Sequence, residues 1–321
     1  MDVREELLAT VATLYYKLNK SQSEIAARLD ISSSTVSRML REAHERGVVE
    51  IHIKSPIPRD FELEQRFIQE FGLKDVYILQ TSSEGTSNEA FLDAIGGLAA
   101  GYIERMLANY QPGSSIGVAW GTGVHATVNA IQDNYTQNID VVQLLGGVGA
   151  LVVDSPDLAR IVAQKLGGRH YDLHSPVLLE RASTRNVFLQ EPIVREAIER
   201  AKAVKLAITG IGTVHDDASS FLRAGLLTRS DLRALREAGA VGEMCGRFFD
   251  IQGNYDAFEI NQRIVGIELD DLRRIPQSIA IARGPLKAAS ILGALYGNFL
   301  KVLATDDITA RAMLRVQQEL T

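Results

Sequence analysis

The residues best placed to do chemistry in this chain are glycines, because each exposes bare backbone N–H groups where a loop meets a helix. Gly121-Thr122-Gly123 follows the apolar run Ile116–Trp120 and opens a segment of helical character. Free N–H groups and the Thr122 hydroxyl there can cradle a phosphate or several sugar hydroxyls. Gly146-Gly147-Val148-Gly149 and Gly210-Ile211-Gly212-Thr213 are two further loops of this kind. In Gly284-Pro285-Leu286-Lys287, Pro285 suits the first position of a helix, which puts Lys287 in the first turn. A cation there opposes the helix dipole by roughly a few tenths of a kcal/mol. Lys287 is therefore either paired with an anionic ligand, held by a nearby carboxylate or solvated.

Catalytic constellations are scarce. The six histidines (44, 52, 125, 170, 174 and 215) form no HExxH pair, and there is no G-x-S-x-G elbow. His170 and His174 flank Tyr171-Asp172-Leu173, but no third ligand accompanies them, so no metal is expected. Gly121–Ala126 matches G-x-G-x-x-A, with Asp140 near the spacing of a ribose-binding acid. Asp140 begins its apolar run, whereas such an acid should end one, so no dinucleotide cofactor is expected.

The elements that position these loops follow from periodicity. Ahead of them stands a small head. Leu7, Leu8, Val11, Leu14, Tyr15 and Leu18 form a helical stripe. Ser21-Gln22-Ser23-Glu24 is a capping box opening a short helix that buries Ile25, Ala26 and Leu29. Asp30-Ile31-Ser32 breaks it. Ser33-Ser34-Thr35 then leads into Val36, Met39, Leu40 and Ala43, and the helix stops at Gly47. Two short helices joined by a tight turn make a helix-turn-helix, whose second helix enters the major groove of DNA. Its leading residues, Ser33, Ser34, Thr35, Ser37, Arg38 and Arg41, are short hydroxyls followed by two guanidiniums suited to base edges and phosphates. A capped surface helix of a protein-binding module is the rival reading. Val48–Lys54 alternates like a strand, as a wing would.

Charge alone leaves DNA binding undecided. Net charge is −6 overall, but residues 1–54 hold eight Lys/Arg and eight Asp/Glu, so the remainder carries the whole deficit. One cysteine, Cys245, excludes an intrachain disulfide. The start is too acidic for a secretory leader and no apolar run approaches 18 residues, so a cytoplasmic protein with no membrane partner is expected.

Ser55-Pro56-Ile57-Pro58 marks a boundary. Three parts are expected: a DNA-binding head over 1–54, a linker with a connector helix over 55–75, and an α/β effector-binding and oligomerisation domain over 76–321. The helix at 61–71 could connect, dimerise or pack on the large domain. Strands are expected at Val76–Leu79, Ser115–Ala119, Asp140–Leu145, Arg169–Leu173, Leu206–Thr209, Glu243–Phe248 and Ile264–Ile267. Helices are expected at 88–109, 123–132, 157–166, 191–201, 229–238 and 285–302, with a last one at Asp306–Leu320 capped by Thr305. Such alternation implies a mainly parallel sheet covered by helices, with ligands at the carboxyl ends of its strands.

The chain also resembles, nearly end to end, the SorC family of sugar-responsive regulators, grouped with DeoR-type regulators. The resemblance is carried by Leu14-Tyr15-Tyr16, Ser21–Leu29, Ser34–Leu40, Gly47-Val48-Val49 and Gly117–Thr122. It continues in Gly210–Thr213, Gly239–Glu243, Gly246–Asp250, Ile275-Pro276 and Gly284–Ala289. It implies a winged head on an α/β domain similar to the sugar-phosphate isomerase and glucosamine-phosphate deaminase fold. It also implies a dimer or tetramer whose affinity for double-stranded operator DNA responds to a sugar, polyol or sugar phosphate. Carried over by motif, Gly121, Thr122, Gly123, Gly212 and Lys287 would surround the effector, and Asp250 would accept from its hydroxyls. His174 and Gly146 would lie near. Several relatives have a further hydroxyl residue where this chain has Gly123, which removes one phosphate donor and leaves an unphosphorylated effector open. The alternative is a sugar-phosphate isomerase or deaminase bearing a DNA-binding head, with Asp250 and Lys287 as base and electrophile.

Overall fold

A computed structural model of the chain describes residues 3–49, 57–81, 87–133, 137–148 and 157–320. They fall into two units, Met1–Pro56 and Ile57–Thr321.

In the smaller unit, α1 (Val3–Ala12) runs into a wide turn at Thr13–Lys17, followed by α2 (Gln22–Leu29) and α3 (Ser33–Glu45). Ser21 caps α2 as expected: its hydroxyl accepts from the Glu24 N–H at 3.2 Å, and the Glu24 carboxylate accepts from the Ser21 N–H at 2.8 Å. The turn is made by Asp30 in the left-handed region, φ 53°, which a short polar side chain tolerates better than most. Ser32 caps α3 by accepting from the Thr35 N–H at 3.1 Å. Leu8, Val11, Leu14, Ile25, Ala26, Val36, Met39, Leu40 and Ala43 form a separate small core. Val48 and Val49 pack against it, whereas most of the expected wing, from residue 50 to 54, lies outside the described residues.

The larger unit contains α4 (Phe61–Phe71), β1 (Asp75–Leu79), α5 (Asn88–Leu107), β2 (Ser115–Val118), α6 (Thr122–Ala130) and β3 (Ile139–Gln143). These are followed by α7 (Asp157–Leu166), β4 (Gly167–Tyr171), α8 (Ala182–Phe188), α9 (Pro192–Lys202), β5 (Leu206–Gly210) and β6 (Gly212–Thr213). After them come α10 (Ser220–Arg223), α11 (Arg229–Glu237), β7 (Ala240–Met244), β8 (Arg247–Asp250) and α12 (Leu269–Arg274). The chain closes with β9 (Gln277–Ile281), α13 (Ala288–Tyr296), β10 (Val302–Asp306) and α14 (Asp307–Leu320). Seven strands form one parallel sheet in the order β1-β10-β9-β5-β2-β3-β4. Strands buried on both faces read as apolar runs, as in Val76–Leu79 and Val302–Ala304.

Several expectations need correction. Glu243–Phe248 is not one strand: the chain reverses at Cys245-Gly246, φ 50° and 79°, and β7 and β8 pair antiparallel in a second sheet with β6. Cys is an unusual residue at positive φ, which hid the turn. Ile264–Ile267 makes only single bridges, Leu178 to Ile264 and Leu145 to Gly266. The helix expected over 285–302 is a short 3-10 turn at Pro285–Lys287, then α13, then a turn through Asn298 (φ 54°) leading into β10. A largely apolar stretch hid both that turn and β10, and β9 was missed too. Thr305 does not cap α14. It sits inside β10, while Asp306 Oδ1 accepts from the Thr309 N–H at 2.7 Å.

Helix α4, expected in the linker region over 55–75, packs on the sheet. Phe67 is fully buried in the main core, and the buried Glu64 carboxylate accepts from the Ile78 N–H at 2.8 Å and pairs with Arg59 at 2.7 Å.

Candidate functional site

Chain order sets where a ligand can sit. From β2 the sheet grows outward through β3 and β4, whereas from β5 it grows the other way through β9 and β10. The loops leaving the carboxyl ends of β2 and β5 therefore diverge, and a crevice opens between them at the switch point. Five of the expected residues line this crevice: Gly121, Thr122 and Gly123 after β2, Gly212 after β5, and Lys287 after β9. The cleft occupies about 440 Å³ including its mouth. A more open groove of about 1540 Å³ on the same measure adjoins it and shares Thr122 and Lys287.

Each glycine has its own reason. Gly121 adopts φ 133° and ψ 156°, a conformation essentially closed to residues with a Cβ. Its carbonyl starts α6 by accepting from the His125 N–H at 2.8 Å, and no side chain caps the helix. A Cβ on Gly123 would lie 2.7 Å from Ile281 Cγ2 and 3.0 Å from the Ile281 carbonyl oxygen, so the end of β9 leaves no room for a side chain at this position. A Cβ on Gly212 would land 1.9 Å from Glu243 Oε1. Lys287 is not simply solvated, because its Nζ donates to the Ile211 carbonyl at 2.7 Å.

Sequence reasoning missed Trp120, Ser220, Arg223 and Glu243, which also line the cleft. Glu243 is buried and accepts from the Gly246 N–H at 3.0 Å and the Ser220 hydroxyl at 3.4 Å. Trp120 and Glu243 lay within stretches quoted for the resemblance, so a signal existed. Ser220 and Arg223 sit on a four-residue helix that no periodicity announces. Cys245 lines the cleft as well, but burial pushes its thiol well above the ordinary range, away from nucleophilic chemistry.

Three expected residues are elsewhere. Gly146 is a packing glycine: an added Cβ would lie 2.5 Å from the Ser175 carbonyl oxygen and 2.7 Å from that of Pro176, and its N–H donates to the Val265 carbonyl at 3.0 Å. His174 lies with His170, Asp172 and Arg200 around a separate surface cavity of about 680 Å³ including its mouth. Asp250 ends β8 and does not line the cleft. Its carboxylate accepts from the Gln252 and Asn254 N–H groups at 3.0 and 2.8 Å and from Asn254 Nδ2 at 3.0 Å, closing a turn. Asp140, weighed as a ribose-binding acid, is at the amino end of β3 and accepts from Arg169 Nη2 at 2.9 Å. Burial pushes its carboxyl up, but the hydrogen bonds from Arg169 and Tyr171 outweigh this and hold it below the usual range.

In the head, Ser33, Ser34, Arg38 and Arg41 of α3 are exposed and Thr35 and Ser37 half-buried, on the side away from Val36, Met39 and Leu40. The Thr35 hydroxyl is 2.8 Å from that of Ser32 and receives Arg38 Nη2 at 3.4 Å. Arg38 and Arg41 form no ion pair among the described residues, so both guanidiniums present a row of donors to solvent.

Comparison with known proteins agrees with this geometry. Residues 55–315 match the family described as "Putative sugar-binding domain", and residues 19–50 match "Winged helix-turn-helix DNA-binding". The chain is 32% identical over 313 residues to the deoxyribonucleoside regulator of Bacillus subtilis, covering 97% of this chain and 98% of that protein. It is 31% identical over 320 residues to the sorbitol operon regulator of Klebsiella pneumoniae, covering 98% of each. The crystal structure of the full-length Klebsiella regulator SorC superposes with a TM-score of 0.70 at 29% identity, covering 97% of this chain and 99% of that one. The chain belongs to the SorC family of sugar-responsive transcriptional regulators, a winged helix-turn-helix head joined to a sugar-binding α/β domain.

Proposed function

We propose that this protein controls transcription of a carbohydrate-utilisation operon, binding operator DNA through α3 with an affinity set by a sugar, polyol or sugar-phosphate effector in the switch-point cleft. One observation carries the reading: a glycine-walled crevice with Lys287 at its mouth occurs in the same chain as a capped helix-turn-helix. The protein works as a cytoplasmic homo-oligomer, whose paired heads read half-sites about 34–36 Å apart or a multiple of that. It is a switch and not an enzyme: Asp250, the base an isomerase reading would use, is committed to its own turn.

An effector shifts operator affinity only if the two states differ in how they bind it. The junction of β10 and α14 offers a route. Asp306 Oδ2 accepts from Arg283 at 2.8 Å, and Thr309 Oγ1 accepts from the Gly284 N–H at 2.7 Å, both in the loop that leads to Lys287. On the other side, Asp307 Oδ1 accepts from the Thr81 N–H at 3.1 Å, and the neighbouring Gln80 N–H donates to the Pro58 carbonyl at 2.9 Å. Pro58 lies a few residues beyond the head in chain order.

The test is fluorescence anisotropy on an operator selected from random DNA, with and without a panel of sugars, polyols and their phosphates. One member should change operator affinity by about 10-fold or more, within the range of known couplings. Arg38→Ala and Arg41→Ala should each weaken operator binding by about 5- to 150-fold, as expected for loss of about 1–3 kcal/mol from a base contact, and leave thermal stabilisation by the effector unchanged. Wild-type operator affinity in both variants would refute the recognition-helix assignment.

A further inference from the structure

Trp120 is the chain's only tryptophan, and it lines the cleft. The residue is 8% exposed, and its buried indole N–H has no hydrogen-bond partner among the described residues. An indole N–H can only donate, and a buried donor left unpaired is unfavourable, so a buried orphan beside a ligand cleft calls for an acceptor. The ring is not free to turn away. Phe221 packs on it at 5.6 Å between centroids and Phe248 backs Phe221 at 5.3 Å. The preceding Ala119 N–H is tied to the Ile208 carbonyl at 2.9 Å.

The same cleft holds the buried Glu243 carboxylate, and a carboxylate has acceptor sites for about four donors. An alcohol hydroxyl suits both. A hydroxyl oxygen accepts from Trp120 while its proton goes to Glu243. A phosphate or carboxylate oxygen would satisfy the indole but meet the Glu243 charge in a low-dielectric site. The cations lie outward: Arg223 is exposed, and Lys287 is shared with the outer groove.

We propose that Trp120 and Glu243 form an inner subsite for one hydroxyl of a polyhydroxy effector, with Trp120 the specificity-determining donor and any anionic end of the ligand held outside at Lys287. The subsite rests on the sugar-sensing reading and adds the ligand's orientation to it.

A lone tryptophan gives a lone indole N–H resonance, so the full-length protein labelled with ¹⁵N-tryptophan reports this contact directly. The probes are D-sorbitol 6-phosphate, D-fructose 6-phosphate, D-ribose 5-phosphate, their unphosphorylated parents and inorganic phosphate. A sugar or sugar phosphate that raises the unfolding temperature should move the indole proton downfield, and saturating inorganic phosphate should not. Trp120→Phe should weaken that ligand by about 10-fold in calorimetry, the scale of one buried hydrogen bond, and leave inorganic phosphate unaffected. A bound sugar that leaves the resonance in place, an equal shift with inorganic phosphate, or wild-type affinity in Trp120→Phe would each overturn the subsite while sparing the sugar-sensing reading. Should Trp120→Phe not fold, the wild-type resonance decides. If no sugar or sugar phosphate binds, both the sensing reading and the subsite fall.

Discussion

Replacing Gly123 with serine would add a hydroxyl to the loop after β2, and the structure predicts what this costs. An added Cβ meets Ile281 at 2.7 Å (Cγ2), 3.1 Å (Cβ) and 3.0 Å (carbonyl oxygen), whereas relaxed carbon contacts lie at about 3.5–4.0 Å. Ile281 cannot swing aside, being 2% exposed, the last residue of β9 and registered with Gly210 on β5. Overpacking of this kind costs about 1–3 kcal/mol. For a unit of this size each kcal/mol lowers the melting temperature by roughly 2–4 °C, so Gly123→Ser should melt roughly 2–12 °C below wild type. None of the cost is backbone strain, since Gly123 is absent from the residues at positive φ. Gly121→Ala is the control: its Cβ would meet nothing within 4 Å, but φ is 133°, so its cost of about 1–3 kcal/mol comes from the backbone. Circular dichroism melts of Gly123→Ser, Ile281→Ala and the double variant separate the two causes. Ile281→Ala alone should cost about 2–5 kcal/mol, but the double variant should be about 1 kcal/mol more stable than the sum predicts. Gly121→Ala should simply add to Ile281→Ala. If Gly123→Ser melts with wild type, or its cost adds to that of Ile281→Ala, Ile281 is not the reason this position is glycine.

Three further outcomes follow from the packing. Arg247 is 2% exposed and shares Glu268 Oε1 with Arg185, at 2.7 and 2.6 Å; burial pushes its pKa down to about 10 against the pull of Glu268. Glu268→Ala strands a buried cation and should cost about 3–5 kcal/mol in denaturant unfolding, more than Arg247→Met, which leaves Glu268 with Arg185; the reverse order would contradict this account. Thr305 holds a buried hydroxyl without a partner among the described residues, so Thr305→Val should be neutral or stabilising by up to about 1 kcal/mol, and a clear loss of stability would mean that the hydroxyl has a partner. In the head, the Ser21 N–H, then Lys20 and the Ser21 hydroxyl, pull the Glu24 carboxyl from 4.5 to about 2. Because the folded value is depressed, this contribution is whole above 4.5 and fades as pH falls from there toward about 2; carboxyl chemical shifts should show it, and a Glu24 midpoint near 4.5 would contradict the capping box.

The head was legible residue by residue because its interactions are local. Ser21 and Glu24, or Val36, Met39 and Leu40, meet through spacings of three and four along one helix, and Gly47 ends that helix by its own backbone freedom. The same locality made the Gly121 loop and the Pro285 turn readable as segments that line a cleft. It failed where a contact joins distant segments. Asp250 looked like an acceptor for an effector until the chain folded back and Asn254 claimed its carboxylate. Thr305 looked like a cap, but the preceding residues belong to a strand paired with β1 and β9, which moves the cap to Asp306.

What the sequence determined by itself is therefore the helix-turn-helix, the α/β class and the glycine loops, all properties of segments shorter than about twenty residues. Strand order was decided only in three dimensions. It alone makes β2 and β5 neighbours across 87 intervening residues, from Val118 to Leu206, and so brings Thr122, Gly212, Glu243 and Lys287 around one cleft. The physical reason is that loop closure depends only weakly on length, so the pairing of distant strands is settled by which apolar faces they bury together, and no short window of residues records that choice.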